Sequence, residues 1–231
     1  KSGDSIVAFA LPETDKREVS KHTDSDPPGQ WIDLFDGHSL NGWVHLNGSH
    51  TFSVEDGAIV GRTVEGSVNS FLCTTREFGD FELELEVFVD EVTNSGIQFR
   101  SKARPITSGK GWSNTAGRVY GPQAEIRRSQ GNAVPTTGML YGEALGTGWL
   151  SDQTTIDRGH QFYRDDDWNK LHIKAQGPRM QTWVNGHRID DITREDVYVT
   201  HPSGFIGLQV HGIKNQGPFT MKFRNIRIKE L

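Results

Sequence analysis

Phe81-Glu82-Leu83-Glu84-Leu85-Glu86-Val87-Phe88-Val89 is the stretch from which the fold is read. Apolar side chains at 81, 83, 85, 87 and 89 alternate with glutamates at 82, 84 and 86. A period of two is that of a β-strand with one face in a core and the other turned outward. The same alternation recurs along the chain. Ile97 and Phe99 alternate with Gln98 and Arg100, and Ala124 and Ile126 with Gln123, Glu125 and Arg127. Leu171 and Ile173 alternate with Lys170, His172 and Lys174, and Leu208 and Val210 with Gln209 and His211. Phe223-Arg224-Asn225-Ile226-Arg227-Ile228 reads as a further strand. No stretch keeps a helical period beyond a turn or two. Val184-Asn185-Gly186-His187 marks a two-residue hairpin, because Asn-Gly takes the positive φ angles of a type I′ turn; it predicts strands over about Met180–Val184 and His187–Asp191. The expected fold is all-β, an antiparallel sandwich of two sheets.

A length of 231 residues suits one such domain, and 26 glycines suit many tight turns. Residues 1–29 differ in character. Ile6-Val7-Ala8-Phe9-Ala10-Leu11 predicts one short strand, followed by a charged, polar stretch that closes with Asp26-Pro27-Pro28-Gly29. The reading is a leader or linker over 1–29 and a single domain over 30–231. Two glycine-rich or polar stretches, about 102–120 and 142–167, read as long loops of the kind that line binding sites. The chain starts at Lys1, so an earlier signal peptide is an expectation to carry.

The net charge is −5 and no basic stripe occurs, which argues against a nucleic-acid partner. No apolar run approaches the roughly 20 residues of a membrane span. Oligomeric state is not legible. The single cysteine, Cys73, reads as a small buried apolar residue in a strand.

Chemistry is expected where strands carry unusual outward residues. Gln98 and Arg100, then Gln123, Glu125 and Arg127, then Gln209 and His211 are amides, guanidinium groups, a carboxylate and an imidazole. These are the groups that grip sugar hydroxyls and carbonyls. Placed in one sheet they form a patch. Gly212, after His211, allows a ligand or loop to come close. Trp112 and Trp149, in the two long loops, are candidates to stack on a sugar. Glu82, Glu84 and Glu86 are the alternative, a glucanase-like row of carboxylates. Alternate residues on one strand face stand roughly 6–7 Å apart at the backbone, wider than the ~5–5.5 Å between the carboxyl groups of a retaining glycosidase, so a solvated outer face is the favoured reading. Asp165-Asp166-Asp167 offers oxygen to a calcium ion or is simply hydrated. The histidines lack metal-ligand spacing, and there is no G-x-S-x-G elbow, phosphate loop or dinucleotide fingerprint.

Ordered segments carry a resemblance. Trp31-Ile32-Asp33-Leu34-Phe35-Asp36-Gly37 with Leu40-Asn41-Gly42-Trp43 is followed by Val54-Glu55-Asp56-Gly57-Ala58-Ile59 and Phe78-Gly79-Asp80-Phe81-Glu82-Leu83. Then come Asn94-Ser95-Gly96-Ile97-Gln98-Phe99-Arg100 and Gly138-Met139-Leu140-Tyr141-Gly142. Asp167-Trp168-Asn169, Trp183-Val184-Asn185-Gly186, Gly207-Leu208-Gln209-Val210-His211 and Phe223-Arg224-Asn225-Ile226 complete the series. Over about residues 31–231 the chain resembles the 3-keto-disaccharide hydrolase domain family, long known as a domain of unknown function. The resemblance implies a concanavalin A-like jelly-roll sandwich, usually exported to the periplasm or beyond by bacteria that degrade glycans. It also implies cleavage of glycosides already oxidised at C3. One strand departs from the family: Tyr-Glu-x-Gln-Ile is common there, whereas Gln123-Ala124-Glu125-Ile126 exchanges the glutamate and glutamine on the same face.

A C3 ketone acidifies the C2 hydrogen, so the implied reaction needs a base, an enolate stabiliser and an acid for the leaving group. The assignment gives His211 or Glu125 as base, and Arg100 with Gln209 or Gln123 on the keto oxygen. Asn94 positions a hydroxyl or braces the loop, and Arg127, Gln98, Tyr141, Trp112 and Trp149 are further sugar contacts. No cofactor is implied with certainty; a divalent metal ion stays open as a replacement for the arginine, without a clear ligand set. Two alternatives stand beside the enzyme: a non-catalytic carbohydrate-binding module on the same fold, and a glycosidase built on Glu82–Glu86.

Overall fold

The computed structural model describes residues 29–89, 93–105, 116–127, 135–214 and 217–231. The expected leader and Trp112 lie outside these, apart from Gly29, whose N–H donates to Glu230 O at 3.0 Å. In chain order the elements are β1 (Trp31–Asp33), β2 (Trp43–Leu46), β3 (Thr51–Glu55), β4 (Ala58–Arg62), β5 (Ser70–Phe78) and β6 (Phe81–Val89). They continue with β7 (Asn94–Ala103), β8 (Val119–Arg127), β9 (Leu140–Glu143), β10 (Gly148–Trp149) and α1 (Gln153–Arg158). The last are β11 (Asn169–Gln176), β12 (Arg179–Val184), β13 (His187–Thr193), α2 (Glu195–Thr200), β14 (Gly204–Val210) and β15 (Thr220–Glu230). The stretch 142–167, expected as loop, thus holds a short strand and a helix of six residues, too short to leave a periodic signal.

Two antiparallel sheets result. The first runs β13-β12-β11-β6-β15-β4-β3, with β1 also paired to β15; the second runs β10-β9-β8-β7-β14-β5-β2. Their apolar faces meet. Phe81, Leu83, Leu85, Val87 and Val89 of the first sheet share one buried cluster with Ile97, Phe99, Ala124, Ile126, Leu208 and Val210 of the second. Phe81 and Phe99 meet edge to face across the gap, with centroids 6.2 Å apart. The hairpin forms as expected, with Asn185 at φ 50° and Gly186 at φ 83°.

The glutamates of β6 lie on the outer face of the first sheet, between two basic strands. Cross-strand partners are Glu82 with Lys174 and Lys229, Glu84 with His172 and Arg227, and Glu86 with Lys170 and Arg224. The Glu84 carboxylate meets Arg227 at 2.6 Å and Lys170 at 2.9 Å, and Glu86 meets Arg224 at 2.7 Å. Partial burial raises the pKa of Glu82 and Glu84, but the cations around them outweigh it and hold both below the ordinary carboxylate range. Glu82 and Glu84 are thus held ionised and Glu86 is ion-paired with Arg224, so these residues register the sheet and the glycosidase reading finds no acid with a raised pKa at Glu82 or Glu84.

A bulge in β7 corrects one expectation. Gln98 pairs with Gln123 of β8, but the next registered pair is Lys102 with Tyr120, one residue longer on the β7 side. Arg100 sits in the bulge at φ 47°. A one-residue insertion turns following side chains to the other face. Ser101 therefore continues the Gln98 face, donating to Gln98 Oε1 at 2.8 Å. Arg100 instead crosses the end of the sandwich. It donates to Gly79 O at 2.7 Å, Gly177 O at 2.6 Å and Asp80 at 2.6 Å, and its guanidinium lies 5.3 Å from the Tyr198 ring. It rivets turns of the two sheets together and is not on the patch. Arg100→Ala is expected to cost on the order of 3 kcal/mol in urea denaturation, because two carbonyls and a carboxylate lose their donor, while leaving ligand chemistry per folded molecule unchanged.

Candidate functional site

The outer face of the second sheet is built on β9, β8, β7 and β14. Tyr141 registers opposite Gln123, Gln123 opposite Gln98 and Gln98 opposite Gly207; in the next row Glu125 lies opposite Gly96. This face is not hydrated: Gln98 and Gln209 are 0% exposed, Gln123 1% and Glu125 6%. Gly96 makes the room, since a Cβ there would stand 2.4 Å from the Gln123 side chain. Phe71, Cys73, Val119 and Phe205 form a small apolar cluster. Cys73 is buried as expected, and burial pushes its thiol pKa up.

Buried amides must bond to one another. Gln98 Nε2 donates to Gln123 Oε1 at 2.5 Å and Gln209 Nε2 donates to the same oxygen at 3.0 Å. With its carbonyl used twice, Gln123 turns Nε2 to Glu125 Oε2 at 2.8 Å. Asn94 Nδ2 donates to the other carboxylate oxygen, Oε1. The glutamines expected to grip a sugar are thus spent on orienting a carboxylate. Gln209 Oε1 is the buried atom of this array without a partner among the described residues, and it would accept from a hydroxyl.

Burial raises the Glu125 pKa to about 7, opposed by the Gln123 and Asn94 donors; the Glu143 charge adds to the rise and Arg127 opposes it. Arg127, at the end of β8 opposite Asn94, acts here through its charge. Glu143 is the second acid. Its pKa is also raised by burial, against the Arg118 guanidinium and Asn69. Arg118 Nη2 bonds to Glu143 Oε1, and Asn69 Nδ2 reaches that oxygen at 3.3 Å. Asn69 Oδ1 accepts the Gly212 N–H at 2.9 Å, which ties the His211–Gly212 segment to this pair. Tyr141 feels both acids: burial, then Glu143 and Glu125, raise its phenol pKa. Trp149 meets the Tyr141 ring edge-on at 5.3 Å.

His211 is held neutral, its pKa lowered by burial and by the charge of Arg118. Its Nδ1 lies 2.9 Å from Gly212 O. A carbonyl only accepts, so Nδ1 carries the hydrogen and Nε2 keeps its lone pair. The site therefore combines a neutral imidazole with a basic nitrogen, a carboxyl that titrates near neutrality, and an ion-paired acid with a buried cation. Two buried carboxyls whose surroundings raise their pKa values are candidates for acid–base chemistry.

Seven expected residues, Asn94, Gln98, Gln123, Glu125, Gln209, Tyr141 and Trp149, come together, and His211 joins through Asn69 and Arg118. Arg100 does not. Arg118, Glu143 and Asn69 were missed. Glu143 had a signal, since it lies two residues beyond Tyr141 on the same strand and face; Arg118 had none, as it precedes β8. Among the described residues no three of His, Cys, Asp and Glu are grouped to hold a metal ion. Asp167 bonds the Trp168 N–H and lies 3.8 Å from Arg164, in an exposed loop.

The model of the 3-keto-alpha-glucoside-1,2-lyase-like domain matches residues 30–229. The chain belongs to this family. Its membership places the 3-keto-alpha-glucoside-1,2-lyase-like domain described here in carbohydrate chemistry. No curated protein matches it in sequence. Among solved structures it is similar to a putative glycosyl hydrolase from Parabacteroides distasonis, at 20% identity and TM-score 0.57, covering 87% of this chain and 94% of that one. It is also similar to the carbohydrate-binding module CBM66 from Bacillus subtilis, at 17% identity and TM-score 0.55, covering 82% and 96%. A third is a Bacillus subtilis protein of unknown function with a galectin-like fold, at 12% identity and TM-score 0.58, covering 83% and 90%. At these identities the likeness is one of fold, the galectin-like sandwich. No helix among the described residues is long and apolar enough to cross a membrane.

The raised pKa of Glu125 has a signed consequence. Above its unfolded pKa of about 4.5 the folded state binds the extra proton, so this group's contribution to stability falls as pH rises through about 7. Urea unfolding of wild type and Glu125→Gln at pH 5 and pH 8 should show the wild type losing on the order of 3 kcal/mol relative to the variant. A constant difference between the two would show that Glu125 is ionised throughout.

Proposed function

We propose that the domain cleaves glycosides already oxidised at C3, by removing the C2 proton and expelling the C1 substituent. The observation that carries this reading is one Arg118–Glu143 pair whose charges reach both a neutral His211, with a lone pair on Nε2, and a buried Glu125 with its pKa raised to about 7. His211 Nε2 takes the C2 hydrogen as a proton. The electrons of the C2–H bond form an enolate with the C3 carbonyl, then make the C1–C2 double bond as the C1–O bond breaks. Glu125, protonated in part of the population near neutral pH, gives its proton to the departing oxygen. Arg118, the buried cation beside these acids, takes the electrostatic part first given to Arg100. Water adding to the C1–C2 double bond converts elimination into net hydrolysis. Tyr141 with Trp149 offers aromatic surface for the sugar at the end of the row.

That aromatic pair also supports a second reading, a module that binds sugar without chemistry. One experiment separates the two. The domain is incubated with a disaccharide and with its 3-keto form, and products are read by mass spectrometry. Cleavage of the keto form alone is expected, reduced about 10²- to 10⁴-fold by His211→Ala and by Glu125→Gln. Unchanged turnover in both variants would remove the assignment. Binding of both sugars without cleavage, lost in Trp149→Ala, would make the domain a binding module.

A further inference from the structure

A concavity of about 450 Å³ opens between the end of α1 with its following loop and the edge strand β13. That volume lies within the range of small-molecule sites. Its apolar lining is Met139, Phe162 and Ile189; its charged lining is Arg158 and Arg188, and among the described residues no acidic side chain lines it.

The two arginines have donors to spare. Arg158 closes α1 and has no hydrogen-bond or ion-pair partner among the described residues; the neighbouring Asp157 is taken by Gln153 at 2.7 Å. Arg188 reaches Asp191 Oδ2 at 3.1 Å, but that carboxylate already accepts two bonds from Arg179 at 2.8 Å and one from Gln181 at 3.0 Å. Arg188 is thus a late partner on a crowded acid, with guanidinium N–H groups left over.

The wall between them is rigid. Phe162, 40% exposed, is the one aromatic among the large exposed apolar residues described. Its ring stacks on His187 at 3.9 Å and 7°, and lies parallel to His160 at 5.8 Å and 14°. His160 is pinned on both nitrogens, by Thr137 O at 2.6 Å and by the Phe162 N–H at 3.2 Å. An exposed phenylalanine fixed in this way keeps its edge beside the cleft without losing further side-chain entropy when a ligand arrives. An apolar wall with two arginines and no acid matches a ring that has one C–H face and an anionic substituent.

We propose that this cleft binds a sugar ring carrying an oxyanion, either a carboxylate or a sulfate ester. The site is separate from the amide face and does not depend on the reaction proposed there. The test is isothermal titration of the full chain with glucuronic acid, glucose 6-sulfate, glucose and inorganic sulfate at one ionic strength. Binding of one or both anionic sugars, at least about tenfold tighter than glucose and inorganic sulfate, is expected. Which of the two binds identifies the oxyanion. The exposed pair Arg158→Ala/Arg188→Ala should abolish that binding while keeping the wild-type melting curve and the wild-type cleavage of a 3-keto disaccharide. Glucose or inorganic sulfate binding as tightly as the anionic sugars would overturn the proposal, as would undiminished binding in the double variant. Failure of keto-sugar cleavage in the wild type would leave this test unaffected.

Discussion

A carboxylate buried on a sheet face has to find its hydrogen bonds inside the protein, and the outer face of the second sheet is arranged around that requirement. Glu125 is almost fully enclosed, and its two oxygens are met by Asn94 and Gln123. Gln123 can present its N–H only because Gln98 and Gln209 occupy its carbonyl. The donor and acceptor inventory of an amide leaves no second orientation: turned over, Gln123 would set its nitrogen against two donors and its oxygen against a carboxylate. Low local polarity strengthens each bond in such a chain and makes each missing one costly. Glycine at 96 is part of the same requirement, because a side chain there would displace Gln123.

The two faces of the sandwich solve the problem of charge differently. On the first sheet, glutamates stand between basic strands, partly buried, and each carboxylate is lowered in pKa or paired across the register. Such pairs define register and contribute little individually. On the second sheet the acids are few, enclosed and raised in pKa. Burial is what separates a carboxylate able to exchange a proton near neutrality from one that merely holds a strand in place. The conspicuous acids in the sequence are therefore the ion-paired ones, and the single Glu125 among glutamines is the one with its pKa raised to about 7.

Arg100 and Ser101 show how a local irregularity redirects function. Strict alternation from Gln98 assigns Arg100 to the outer face. The inserted residue in β7 returns that face to Ser101 and sends the guanidinium across the end of the sandwich, where carbonyls of two turns and Asp80 receive it. The cation of the site is Arg118 instead, delivered from the segment before β8 onto Glu143. Periodicity cannot anticipate either event, since a bulge leaves no compositional mark here and Arg118 is not part of a strand.

By itself the sequence determined the alternating strands and the Asn-Gly hairpin, the all-β class, the inward apolar set and the outward amides with Glu125; His211, read as a strand residue, lies just past the end of β14. Those follow from a period of two, which is local and survives in the order of residues. It also carried the family, through motifs spread over the domain. Only the tertiary structure decided which outward groups meet. Contact between Glu143 and Asn69, 74 positions apart, or between Gln123 and Gln209, 86 apart, depends on strand order and sheet curvature, which no local pattern encodes. The structure also decided burial, and with it protonation. A glutamine or glutamate on an outward face looks the same in the sequence whether that face meets water or is covered, yet only the covered carboxylate has its pKa raised.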